Sequence, residues 1–593
     1  MSFIKLIQAA IGTGPLDNPP GSRPPGTTLR DDQELNREAN TEKTGIDTGK
    51  QVIPDVSVET GTAAIEVVQA IWGKRGRLIV IIGLCLIMIV YRYSEIDNST
   101  VYIYRNYASS EFGELSKLAT LSTAGTIIFA VAKPPIAKLS NVIGRGGTYL
   151  IAISFYILAY IIMASAKTFN AYAAGSIFYS LGQSSTNLMN DIVIADLTTA
   201  RYRAFGIALS FWPFLVTPWV AAFIINSVTA PTGIGWRWGI GMLAIIMPFC
   251  ASFIITTLLY YQIRAQKEGL VLREKISLYE FCSQIDLGGV ILFSGGLALL
   301  LIPMTLAATT PSSWKAPWVD ALIVLGTVLL IALPFYERYF AEHPVVPPRY
   351  FTSRTITLCC ILIAMDNIGF SATHTYIYAW VTVARGLDAR DATFFTYTNG
   401  VTQCLIAIVA GLAIAKTKRY KWVCVLGATV RLIGYGVMLR LRGSDNSIAE
   451  IFIVQLIQGI GSGMVGSTLL IPAQVVVSHA EMPQITALVV CFAFVGSSVG
   501  SCIAGGIYTG MIQTELSMAL GDLSTTDTVS ALANSITAVL PEWGSPERTA
   551  VNIVFTEVMK YITYAAVGPS AIALIGSLFM PNYELPDKNN LVE

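Results

Sequence analysis

"VYRYSEIDNSTVYIY", residues 90–104, follows LIVIIGLCLIMI (78–89) with no turn residue between them. A helix needs roughly 20 apolar residues to cross the hydrocarbon core of a bilayer. Here such a run ends in Arg92, Glu95 and Asp97. Ionisable groups inside a span cost roughly 2.5–3.5 kcal/mol each on insertion scales, so they face a partner or a cavity rather than lipid. Arg92 and Glu95 are three apart and pair on one helix face. Tyr93, Asp97, Thr100 and Tyr104 recur at helical spacing as a second polar stripe. The stretch therefore predicts a spanning helix that borders a polar cavity.

The remainder of the chain repeats the apolar half of this pattern. Of its 593 residues 53% are hydrophobic and 13% charged, with a mean hydropathy of +0.59, a balance no soluble surface tolerates. The fold class is an all-α, multi-pass membrane protein. Fourteen apolar runs are bounded by charge, Pro or Gly, at about 78–103, 114–135, 146–166, 170–193, 202–227, 237–262, 286–308, 318–340, 354–380, 392–416, 420–441, 448–475, 484–512 and 557–580. Basic residues crowd the loops on one side of these runs, among them Lys74, Arg75, Arg77, Lys138, Arg145, Arg201, Arg203, Arg264, Lys267, Arg349, Arg354, Lys416, Lys418 and Lys421. The positive-inside bias then places both termini in the cytosol. Residues 1–73 read as a disordered tail, and 263–285 as a cytosolic amphipathic segment along the membrane. Residues 513–556 read as a long external loop with a short helix followed by a turn, either a lid or a plain connector.

Composition also excludes. A net charge of +1 gives no field to attract nucleic acid. Nine Cys sit mostly within apolar runs without a CxxC pair, as buried free thiols. Three His (His343, His374, His479) are too scattered to bind a bare transition metal, so no metal site or cofactor is expected and any metal arrives already chelated. "GSGMVG" (461–466) and "GSSVG" (496–500) imitate dinucleotide and nucleophile-elbow strings. Both lie within apolar runs and read as small-residue faces for helix packing. No enzymatic chemistry is expected.

The polar residues stranded in spans are the candidates for function. The first span supplies Glu95 and Asp97; the fourth Asn187, Asn190 and Asp191, with Asp196 at its exit near Arg201 and Arg203; the ninth Asp366, Asn367, His374 and Tyr376; the tenth Phe395, Tyr397, Asn399 and Gln403; the eleventh Arg431 and Tyr435. For Arg431 a structural hydrogen bond competes with a functional role. Lys117 and Lys133 flank the second span and read as snorkelling. Trp212 and Trp219, seven apart, read as core.

Two loops and one longer run carry a resemblance. "AKLSNVIGRGG" (137–147) resembles the major facilitator loop signature at Gly144 and Arg145 and departs from it at Ala137, Asn141 and Gly146; "GWRWGIG" (235–241) is similar to the Trp-Arg-Trp of fourteen-span members. The run from Asp97 through Tyr102, Tyr104, Tyr107 and Ala108 to Asp196 in "IADLTTARYRAFG" resembles the fungal siderophore-iron transporters. The resemblance implies two six-helix bundles (74–262 and 346–580) with two extra helices between them (263–345), and proton-coupled import of ferric siderophores across the plasma membrane, with endosomal vesicles as a second location.

On this reading Asp97, Glu95, Asp191 and Asp366 are the proton-coupling candidates, since a carboxylate whose solvation changes with conformation gains and loses a proton. Tyr93, Tyr104, Tyr376, Phe395, Tyr397, Asn399, Asn187 and Gln403 are the substrate-binding candidates, because rings and amides suit a bulky amphipathic chelate. Gly144, Arg145, Asp196, Arg201 and Arg203 are the gating candidates. The partners are the ferric chelate, protons and the bilayer, and the chain is expected to be a monomer. A proton-driven exporter of drugs or toxins and a ligand sensor that does not transport are the alternatives.

Overall fold

The computed structural model describes residues 96–197, 212–267, 277–307, 315–342, 344, 348–443, 446–477, 482–521, 525–538 and 540–584. The expected tail 1–73 and most of the first span lie outside them. Every regular element among the described residues is helical, as it must be where no water satisfies backbone N–H and C=O groups. Ten of these helices are long and apolar enough to cross a membrane.

The first half contains α1 (96–111), α2 (Leu118–Ile143), α3 (Arg145–Ser165), α4 (Phe169–Leu197), α5 (Thr217–Thr229), α6 (Gly235–Gly241) and α7 (Leu243–Lys267). After the short α8 (Leu278–Gln284) comes the pair α9 (Leu287–Leu306) and α10 (Pro317–Tyr339). The second half contains α11 (Arg354–His374), α12 (Ile377–Arg385), α13 (Ala389–Thr417), α14 (Lys421–Leu441), α15 (Ile448–Val475), α16 (Met482–Leu520), α17 (Thr526–Asn534) and α18 (Pro546–Leu578). The second to fourth, seventh, eighth and tenth to fourteenth expected runs each fall on one of these helices, the sixth covers α6 and α7, and the described part of the fifth contains α5. The long loop is shorter than expected, because α16 continues to Leu520 and α18 begins at Pro546. Of the 263–285 segment, α8 is described and exposes Tyr279.

The halves meet along two seams, α2 against α16 and α5 against α13. The extra helix α9 packs against both α2 and α16, so it covers the first seam from outside. Thr120 and Thr305 hydroxyls meet there at 2.9 Å, and Cys502 Sγ lies 3.5 Å from the Leu301 carbonyl.

Close helix contacts follow the small residues. A Cβ at Gly463 would stand 2.6 Å from the Gln403 carbonyl, and one at Gly461 2.8 Å from the Arg431 amide nitrogen. A Cβ at Gly496 or Gly500 would strike the carbonyls of Ala364 or Ile368. The two enzyme-like strings are thus the faces on which α15 meets α13 and α14, and α16 meets α11, as membrane packing favours. Gly144 joins α2 to α3 at φ 85°, a conformation natural to glycine, and Arg145 Nη1 returns to the Ser140 carbonyl at 3.1 Å.

The ninth apolar run breaks between α11 and α12. Thr373 and Thr375 hydroxyls turn back to the carbonyls of Gly369 (2.9 Å) and Ser371 (2.7 Å) just before the break, a bonding pattern that bends helices. The break delivers Tyr376 to the opposite half.

Candidate functional site

In the first half α1 places Asp97 inside the bundle, fully buried. Tyr179 of α4 donates its hydroxyl to Asp97 Oδ2 at 3.0 Å. Tyr156 and Tyr160, one turn apart on α3, stack at 5.6 Å, and Tyr179 meets them edge-on and tilted at 5.5 and 6.0 Å. Gly182 makes this approach possible, for a Cβ there would lie 3.0 Å from the Tyr156 ring.

The second half contains a different kind of station. Arg431 Nε of α14 donates to Asp366 Oδ1 of α11 at 2.7 Å, and Nη2 reaches Oδ2 at 3.3 Å, with the two side chains 2% and 11% exposed. Phe370 and Tyr435 rings lie 5.8 and 5.7 Å from the guanidinium carbon. Gln458 Nε2 donates to the Arg431 carbonyl. A forked, charge-assisted pair under rings is the geometry that makes a buried cation tolerable.

Between the halves, at the end carrying residues 521–545, lies an aromatic seal. Tyr102 donates to the His374 carbonyl at 3.1 Å, and Tyr397 donates to the Ser99 carbonyl at 3.0 Å. Tyr107 and Tyr378 hydroxyls meet at 3.0 Å, and Tyr376 donates to the Ser116 carbonyl at 2.8 Å while stacking on Tyr508 at 4.0 Å. The largest buried apolar cluster runs through both halves and includes Tyr376, Tyr378 and Tyr508 of this seal. Asp366, Asn367, Gln403 and Asn187 are half-buried and lie further along their helices toward the opposite end.

The Major Facilitator Superfamily model matches residues 84–387. The chain is 30% identical over 547 residues to the MFS siderochrome iron transporter C of Aspergillus fumigatus, covering 90% of this chain and 88% of that one. It belongs to the fungal siderophore-iron transporters of the major facilitator superfamily. A low affinity heme transporter of Schizosaccharomyces pombe is 29% identical, over 84% of this chain and 81% of that one. Among solved structures, a bacterial homologue of the human lysosomal transporter Spinster, inward-facing and unoccupied, aligns with a TM-score of 0.56 at 12% identity, covering 84% of this chain and 97% of that one. That likeness shows the fold.

Within this transporter the predicted residues separate by helix face. Asp97, Thr100 and Tyr104 turn into the first half, whereas Ser99 and Tyr102 of the same helix meet the second half. Tyr104 is fully buried against α6, where a Cβ at Gly239 would come within 2.9 Å of its ring. The polar stripe expected to border a wet cavity is therefore enclosed in this conformation. Phe395 is also fully buried, between Trp380 and Phe452. Asn399 is buried with neither end of its amide hydrogen-bonded among the described residues. Tyr376 and Tyr397 belong to the seal. Tyr93, Glu95, Arg201 and Arg203 lie outside the described residues, and Asp191 and Asp196 lie on α4 with their side chains outside the description.

Two expectations are corrected. Trp219 is not core: it is 37% exposed and its ring meets Phe394 of α13 at 4.9 Å. Lys133 does not simply snorkel, since its ammonium sits 5.2 Å from the Phe494 ring of the other half. Tyr156, Tyr160 and Tyr179 were missed by sequence reasoning. The i, i+4 pair of tyrosines in α3 was the one signal available, and spacing alone does not reveal that it faces Asp97.

Proposed function

We propose that this transporter imports ferric siderophore chelates across the plasma membrane by alternating access, coupled to protons. It acts as a monomer with fourteen spans and both termini in the cytosol, and vesicles of the endosomal system are a second location. The match to siderophore-iron transporters over nearly the whole chain carries the reading. The seal at the 521–545 end supports alternating access, because a passage closed at one end by contacts between the halves opens there only if the halves rock apart. The substrate passes between α1 and α4 of one half and α11 and α13 of the other, with Asn187, Asn367 and Gln403 offering amides to chelate oxygens. Asp97 is the favoured proton carrier: its burial among tyrosines gives the carboxylate a strong dependence on whether water reaches it. Asp366, forked to Arg431, serves to hold α11 to α14.

The test is uptake of radiolabelled iron in fungal cells lacking their own carriers, offered as several ferric hydroxamates, a catecholate and haem, with and without an uncoupler. Accumulation of at least one chelate that collapses with the uncoupler supports the reading. Outward movement, or binding without accumulation, refutes import. Haem enters the panel because one relative is named for it.

A further inference from the structure

The connection between the last two long helices does not stay with the half from which it springs. Thr525 caps α17 by accepting from the Thr528 amide. The helix then turns Val529, Leu532 and Ala533, followed by Ile536, into the large apolar cluster that the two halves share, while Thr525, Thr526, Asp527 and Thr528 are exposed. A plain connector on the outside of a transporter has no need of such an apolar face.

Its polar bonds are divided between the halves. Tyr508 of α16 donates to the Ala533 carbonyl at 2.9 Å, an anchor within the second half. The Ile536 amide donates to Ser110 Oγ at the end of α1 at 2.9 Å, and Ser116 Oγ donates to Asn534 Oδ1 at 2.5 Å, both across to the first half. Asn534 Nδ2 bonds back to the Ser530 carbonyl at 3.1 Å, which fixes the amide so that its oxygen faces Ser116. Ser116 is held a second time by Tyr376, whose ring rests on Tyr508. The turn between α1 and α2 is therefore gripped by the second half from two directions.

We infer that residues 529–536 form a clasp that holds the 521–545 end of the passage closed, and that releases Ser110 and Ser116 each time that end opens. The inference rests on the alternating-access reading and gives it a specific latch. The Tyr102–His374 and Tyr397–Ser99 contacts of the seal join long helices and move only with the halves. Glycines in the left-handed region stand on either side of the clasp in the chain, Gly521 at φ 54° and Gly544 at φ 95°. The clasp detaches from the first half while Tyr508 keeps it on the second. Beside it lies a polar cleft of about 200 Å³ lined by Glu114, Ser116, Lys117, Thr509, Gln513 and Asn534. Water in such a cleft competes for the Ser116–Asn534 bond, so the clasp is strong enough to bias the end shut and weak enough to let go.

Two experiments on the full-length transporter in cells test this. With Ser116→Cys and Asn534→Cys combined, an external oxidant should form a disulfide, and chelate uptake should fall at least ten-fold and return on reduction; each single variant should ignore the oxidant. A disulfide that forms without loss of uptake overturns the clasp, and so does failure of the pair to cross-link. The second readout needs no chelate. With Tyr107→Cys as a reporter in the seal, labelling by a membrane-impermeant maleimide should be about five-fold faster in an Asn534→Ala background, the factor expected for one net hydrogen bond. An unchanged labelling rate overturns the clasp even if transport proceeds. Faster labelling in a chain that accumulates no chelate leaves the clasp standing and refutes the siderophore reading instead.

Discussion

Replacing Arg431 by Met tests how the second half is held together. The guanidinium is 2% exposed, its carboxylate partner 11%, and the fork between them measures 2.7 and 3.3 Å. An exposed ion pair contributes about 0–1 kcal/mol. Removing one partner of a buried pair instead strands the other charge, at a cost of about 3–5 kcal/mol. Burial this deep puts Asp366–Arg431 at the second limit, so Arg431→Met should lower the melting midpoint of the purified protein by about 2–4 degrees at a fixed scan rate. The double variant Asp366→Leu with Arg431→Met removes both charges and keeps the volume. It should recover most of the loss, so that in a double-mutant cycle the double variant lies far nearer the parent than the sum of the two single losses. If Arg431→Met melts with the parent, or if the double variant loses the sum of the singles, the pair is not the structural tie argued here.

Three further outcomes follow from the packing of the helices. Asp97→Asn should abolish concentrative uptake while leaving chelate binding to isolated membranes intact; normal accumulation removes Asp97 from coupling, and parallel loss of binding makes it a substrate residue. Gly463→Leu should cut the yield of monodisperse protein in size-exclusion chromatography, because its Cβ alone would lie 2.6 Å from the Gln403 carbonyl and overpacking costs about 1–3 kcal/mol. Gly436→Ala, with nothing within 4 Å of the added carbon, should be neutral or stabilising by up to about 1 kcal/mol. Equal behaviour of these two glycine variants would contradict the close-packing account.

Much of the fold was legible because hydrocarbon leaves a chain few choices. Apolar runs of spanning length became helices at the expected places, and the glycine strings of α15 and α16 marked where helices touch. The site was legible as a set of residue types rather than as an arrangement. Asp97, Asp366 and Arg431 were named because a charge in a span is expensive, and that cost does not depend on which helix stands opposite. Tyr104 and Phe395 were assigned to substrate on the same footing as Tyr376 and Tyr397, since rings suit a core as well as a cavity.

The sequence by itself determined that this is a multi-pass helical membrane protein and, through its resemblance and the match of nearly the whole chain, to which transporters it belongs. Only the tertiary structure decided that Tyr179 bonds Asp97, that Asp366 is forked by Arg431, and that residues 529–536 reach across to Ser110 and Ser116. The physical reason is one of range. Crossing a membrane is settled within each run of about 20 residues, whereas a carboxylate's neighbours come from helices 65 to 82 positions away in the chain, and only packing chooses the face that each helix shows them.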